Sequence, residues 1–101
     1  MIHEIAHIVV KAGMGPEFER GADTAKSIFL AAQGCTSFRL DQVIEKPGRY
    51  RLAIGWRSIE DHMVAFRQSA DFDQWRALVA HCFAKPPEVY HVRNVLPEVL
   101  A

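Results

Sequence analysis

The sequence is short of nearly everything that would place it in an extreme class. No apolar run approaches the roughly 20 residues needed to span a bilayer, so no membrane-spanning helix is expected. Twelve basic and twelve acidic residues cancel, and neither sign forms a long run. A nucleic-acid surface needs a basic stripe, and none is visible. Cysteine is scarce: Cys35 and Cys82 lie far apart and form no CxxC pair. The stretch MIHEIAHIVVKAGMG has no basic region followed by an uninterrupted apolar core, so it does not read as a secretory signal. The two thiols are therefore expected to be reduced, in a cytoplasmic protein. Internal repeats, low-complexity tracts, a P-loop, a GxGxxG turn and a Ser-His-Asp order are all missing.

What is present is an ordinary globular composition, half hydrophobic and 24% charged over 101 residues. That length suits a single domain, residues 1–101, with a core of about 3–95 and a tail of 96–101. A chain this size buries only about 60–70% of its unfolded surface, so a large private cavity is hard to enclose and a partner chain is expected to help.

HEIAHIVVKAG alternates as a strand, with Ile5, His7 and Val9 on one face and Ala6, Ile8 and Val10 on the other. Both faces are largely apolar, which suggests cover on both sides. Pro16 fits the first turn of a helix, and Glu17 and Glu19 suit its dipole. Phe18, Ala22, Ala25, Phe29 and Ala32 recur at helical spacing, with Gly34 as a stop signal. CTSFRLDQVIE and RYRLAIGW form a hairpin, with Phe38, Leu40 and Ile44 on one face of its first strand. Pro47-Gly48 at its tip points to a type II turn. Ser58 caps a second helix with Asp61 as reciprocal partner, and Ile59, Met63 and Phe66 form its buried stripe. A third helix, capped by Asp71, buries Phe72, Trp75, Val79 and Cys82 or Phe83 before Pro86-Pro87 ends it. EVYHVRNV is a last strand. Right-handed crossovers then give a ferredoxin-like α+β fold, βαββααβ, with antiparallel sheet order 4-1-3-2. Its helices cover one sheet face only, and a homodimer packed sheet to sheet would cover the other.

In their order, IAHIVVKAGM, AAQGCTSFRL, EKPGRYRLAIGWRSIEDHMVAFRQSADFDQWRALV and KPPEVYHV resemble the antibiotic biosynthesis monooxygenase domain of the dimeric α/β-barrel superfamily. The resemblance implies a dimeric barrel with a pocket between sheet and helices in each protomer. It also implies one of several activities. Some members oxidise electron-rich phenols or anthrones to quinones with molecular oxygen and no flavin, metal or haem; others degrade haem, and still others handle quinol-type or signalling molecules. The haem branch resembles an arrangement of Asn, Trp and His where this chain has His7, Phe66 and Arg76. An always-protonated arginine cannot ligate iron, so haem degradation is disfavoured.

Within that frame His62 is the first candidate base, because an imidazole titrates near neutral pH. The plain alternative is a solvated helix histidine. His7 would enter the pocket as base or donor if its strand face meets the helices; otherwise it is a satisfied core residue. Arg76, turned inward, would stabilise a phenolate or peroxide; turned outward it is a surface cation. Trp56, Phe66, Phe72 and Trp75 are core aromatics that would also wall a flat substrate, and His91 would bind it from the last strand. His81, near a helix end, reads as a cation favoured by the dipole, and Cys82 as a small buried hydrophobe. His7, His62 and His91 lie on three elements with no acidic partner at helical ligand spacing, so no metal is expected; that no cofactor is needed is what the resemblance implies. The expected function is oxidation of a small aromatic substrate by oxygen. The competing reading is a non-catalytic dimeric module that binds a hydrophobic small molecule.

Overall fold

The computed structural model describes residues 2–101; the expected domain start at Met1 lies outside them. Strand β1 (Ile2–Val9) leads to helix α1 (Gly15–Leu30) and the hairpin of β2 (Cys35–Gln42) and β3 (Arg49–Trp56). A π-helical segment (Asp61–Phe66), helix α2 (Ala70–Val79), a 3₁₀ turn (Ala80–Cys82) and strand β4 (Glu88–Arg93) follow. The strands form one antiparallel sheet ordered β2-β3-β1-β4, the ferredoxin-like order expected from the crossovers.

Strand alternation divides the sheet into two faces. Ala6 and Ile8 of β1, Val10 just beyond it, and Tyr50, Leu52, Ile54 and Trp56 of β3 face the helices and join one buried cluster. Phe18, Ala22, Ala25 and Phe29 of α1 bury against it, as their spacing predicts. Phe29 is the hub: its ring lies 4.8 Å from Phe66 and 5.1 Å from Trp75. Full burial of one such large apolar side chain stabilises by roughly 1.5–3 kcal/mol. Gly21 lets α1 approach α2, since a Cβ there would stand 2.8 Å from the Leu78 carbonyl oxygen.

Four local expectations are corrected. Gly48 does not take the positive φ of a type II turn; the tip closes instead by the Arg49 N–H on the Lys46 carbonyl. Ile44 is exposed beyond the end of β2. Ser69, not Asp71, caps α2: its extended backbone lets Oγ accept the Phe72 N–H, and Asp71 falls inside the first turn. Ile59 and Met63 are exposed, and His62 and Phe66 face inward. The π-turn causes that last change, because the Arg67 N–H reaches back five residues to the His62 carbonyl and rephases the helix. Ser58 does cap as expected, accepting the Asp61 N–H at 3.1 Å, while the Asp61 carboxylate takes the Gln33 amide.

Candidate active site

A cavity of about 360 Å³ opens between the helix-facing side of the sheet and α2. Its apolar walls are Ala6, Ile8 and Leu52 from the strands, Phe72 and Trp75 from α2, and Phe83. Glu4, His62, Arg67 and Arg76 supply its polarity.

Glu4 reaches this face because it is two residues from Ala6 on β1, and register places it opposite Ile54 on one side and His91 on the other. It is the one charged member of the inward row Ile2, Glu4, Ala6, Ile8, Val10. Its Oε1 accepts the Trp56 indole N–H at 3.0 Å and lies 3.2 Å from His62 Nε2. Burial pushes the Glu4 carboxyl up to about 7, although the Trp56 hydrogen bond and the Arg67 charge both pull it down. His62, 2% exposed, is held down at about 4 by burial first and by electrostatic interaction with His91 and Arg67 second. The imidazole is therefore neutral at pH 7, and its 3.2 Å contact with Glu4 is not an ion pair.

A neutral His62 has one N–H and one lone pair. With the proton on Nε2, the nitrogen beside Glu4, Nδ1 is left to accept from His91 Nε2, 2.8 Å away. The His62 ring also stacks on Trp56 at 5.4 Å and 16°. Both nitrogens are thus committed inside the protein. The Trp56 indole N–H and His62 Nε2 both approach the same Glu4 oxygen, Oε1.

Of the residues expected from sequence, His62, Arg76, Phe72 and Trp75 meet at the cavity. The Arg76 guanidinium lies 5.8 Å from the Phe83 ring, and that of Arg67 lies 5.2 Å from Phe72. Trp56, Phe66 and His91 stand outside the wall: Trp56 and His91 hold Glu4 and His62, and Phe66 fills the core against Phe29. His7 is a correction. Its face of β1 is the one turned away from the helices, where its Nε2 meets the Tyr90 hydroxyl at 2.9 Å. The run HEIAH spells HExxH, but it lies on a strand, so Glu4 points inward while His3 and His7 point outward, about 13 Å apart. The helical zinc geometry that motif requires is not built. Sequence reasoning missed Glu4 and Arg67. An acid in an otherwise apolar alternate row was the available signal for Glu4.

A four-stranded antiparallel sheet with helices on one face and a polar-headed pocket beneath them defines a ferredoxin-like α+β protein with a cavity between its layers. More specifically, the family model for antibiotic biosynthesis monooxygenase matches residues 1–78, and the chain belongs to that family. A Bordetella bronchiseptica protein whose crystal structure is named for the same family is 48% identical, with TM-score 0.93 over 94% of this chain and 97% of that one. The uncharacterised protein YczJ of Bacillus subtilis is 30% identical over 95 residues, 94% of this chain and all of its own. A Nitrosomonas europaea structure named for the family is 21% identical, with TM-score 0.82 over 95% of this chain and all of that one; it shares the fold.

Proposed function

We propose that the protein oxidises an electron-rich aromatic of the phenol, anthrone or quinol type with molecular oxygen, needing no cofactor, and that it works as a homodimer. The observation that carries this reading is Glu4, a cavity-wall carboxyl held near neutral pKa by burial. A base poised there is matched to a weakly acidic carbon or phenol at physiological pH. The base moves from His62 to Glu4, because both His62 nitrogens are engaged. His62 holds the carboxylate in place.

For an anthrone, the carboxylate of Glu4 removes a proton from the ring methylene. Arg67 and Arg76 stabilise the resulting anion. The anion gives one electron to oxygen, and the radical pair joins through a new C–O bond. The peroxide takes its proton back from Glu4 and loses water, leaving a carbonyl. The balance is R₂CH₂ + O₂ → R₂C=O + H₂O. Four polar side chains at the cavity favour this enzyme over a passive binding module, whose pocket would need only apolar walls.

The test is oxygen uptake by chelator-treated protein with a panel of anthrones and hydroquinones. Protein-dependent uptake with quinone formation is expected. Uptake no faster than the spontaneous rate across the panel would overturn the oxidation reading in favour of the binding module.

A further inference from the structure

A second cluster lies apart from the cavity, where α1 begins and α2 ends. Glu17 sits in the first turn of α1, and His81 and Cys82 sit on the 3₁₀ turn after α2. That turn is pinned to the end of β1: the Lys11 N–H donates to the Cys82 carbonyl at 2.8 Å, and the Ala84 N–H to the Val9 carbonyl at 2.8 Å. The donor atoms converge. Cys82 Sγ is 3.6 Å from His81 Nε2 and 3.8 Å from Glu17 Oε2, and those two are 2.6 Å apart.

Two arrangements could use a thiol, an imidazole and a carboxylate. In a nucleophilic relay the acid bonds one ring nitrogen and the thiol faces the other. Here Glu17 and Cys82 both approach the same nitrogen, Nε2. Burial and the Glu17 charge also push the Cys82 thiol up, against nucleophilic use. Convergence of three donors on one point is instead the geometry of ligands. Tetrahedral zinc with bonds of about 2.0–2.3 Å needs ligand atoms about 3.3–3.7 Å apart. Both sulfur distances lie within about 0.2 Å of that range. The Glu17–His81 hydrogen bond must open by about 0.7 Å, and both side chains are about half exposed and free to do so.

We propose that Glu17, His81 and Cys82 form a zinc site, with imidazole, carboxylate and thiolate as three ligands and water as the fourth. The metal enters from the exposed Glu17–His81 side and displaces the thiol proton. Lys11 and Arg20 lie close enough for their charges to reach Cys82, and they weaken the site relative to a closed all-protein one.

Cobalt titration of the chelator-stripped full chain tests this. One equivalent should bind with a near-ultraviolet thiolate-to-cobalt band and tetrahedral visible bands, and zinc should displace it. Cys82→Ala should abolish the thiolate band. His81→Ala should weaken zinc by more than the about 10–100-fold that losing an outer-shell partner costs. Cobalt binding without a thiolate band, or a band that survives in folded Cys82→Ala, would overturn the site. Because Cys82 is in the core, the surface variant His81→Ala decides the matter if Cys82→Ala fails to fold: unchanged zinc affinity there also overturns it.

Discussion

Glu4 and His62 titrate in opposite directions, and their opposition is measurable. The folded chain keeps a proton on Glu4 up to about pH 7, whereas the unfolded chain sheds it near 4.5. Acidification through that window therefore favours folding. His62 behaves oppositely: the unfolded chain binds a proton near 6.5 and the folded chain only near 4, so acidification disfavours folding. Between about pH 4.5 and 6.5 the two slopes offset. Glu4→Gln keeps an oxygen acceptor for Trp56 and His62 but leaves His62 uncompensated. Its own stability should therefore fall as pH drops from about 6.5 to 4, by on the order of 1–3 kcal/mol. His62→Asn, left with Glu4 alone, should instead gain stability as pH drops from about 7 to 4.5. Urea midpoints across pH check both; parallel curves for all three proteins would discard the proton assignment. Wild-type oxygen uptake should rise through about pH 7 as Glu4 ionises, and Glu4→Gln should be slower by about 10²–10⁴-fold with that rise removed. At this scale the sequence was half legible. The place of His62 near a pocket follows from helix spacing and family resemblance. Its pairing with Glu4 and His91 depends on β1–β4 register, which no local pattern of residue types reveals.

Where the sequence misled, hydrogen bonding overrode side-chain spacing. Strand alternation and the Phe18-Ala22-Ala25-Phe29 stripe announced the sheet and α1, because one buried face imposes its period directly on residue type. The π-turn leaves no such imprint. A widened turn moves His62 inward and Met63 outward without altering a residue, so Ile59-Met63-Phe66 looked like the stripe. The cap of α2 shows the same limit, since Ser69 and Asp71 are both good capping residues and backbone conformation chose between them. Ser69→Ala should cost about 1 kcal/mol, within the 0.5–2 range for lost caps. Asp71→Ala should cost only a few tenths, as a first-turn acid acting on the dipole. Equal losses in thermal or urea unfolding would return the cap to Asp71. The α1–α2 seam is tighter still. Gly21→Ala places a methyl 2.8 Å from the Leu78 carbonyl, and overpacking should cost about 1–3 kcal/mol despite the better helix propensity of alanine.

The sheet presents two very different faces. The helices all pack on the inner one, whereas the outer face of β1 and β4 leaves Tyr90 and Val92 about 40% exposed beside Ile5 and Ala53. A groove of about 590 Å³ runs there, lined by Ile5, Ala53, Val92, Val95 and Leu96 among others. Beyond β4 the chain adds Val95, Leu96, Val99 and Leu100, each at least 84% exposed. His3, Ser37, Arg39, Arg51, Asn94 and Glu98 also line the groove, and exposed apolar side chains rimmed by polar ones suit an association site. A second copy is the natural occupant, since two such sheets can pack face to face about 10 Å apart and cover one another. Sedimentation equilibrium at micromolar concentration should therefore give about twice the 11.4 kDa chain mass. Val92→Glu introduces a charge on the outer face, and burying it unpaired between two sheets is costly enough to dissociate the pair. That variant should sediment at 11.4 kDa while keeping its helical circular dichroism. The wild-type thermal midpoint should rise with protein concentration, as mass action requires, and that of Val92→Glu should not. A wild-type protein that sediments as a monomer, with a midpoint independent of concentration, would refute the homodimer and leave the outer face to some other partner.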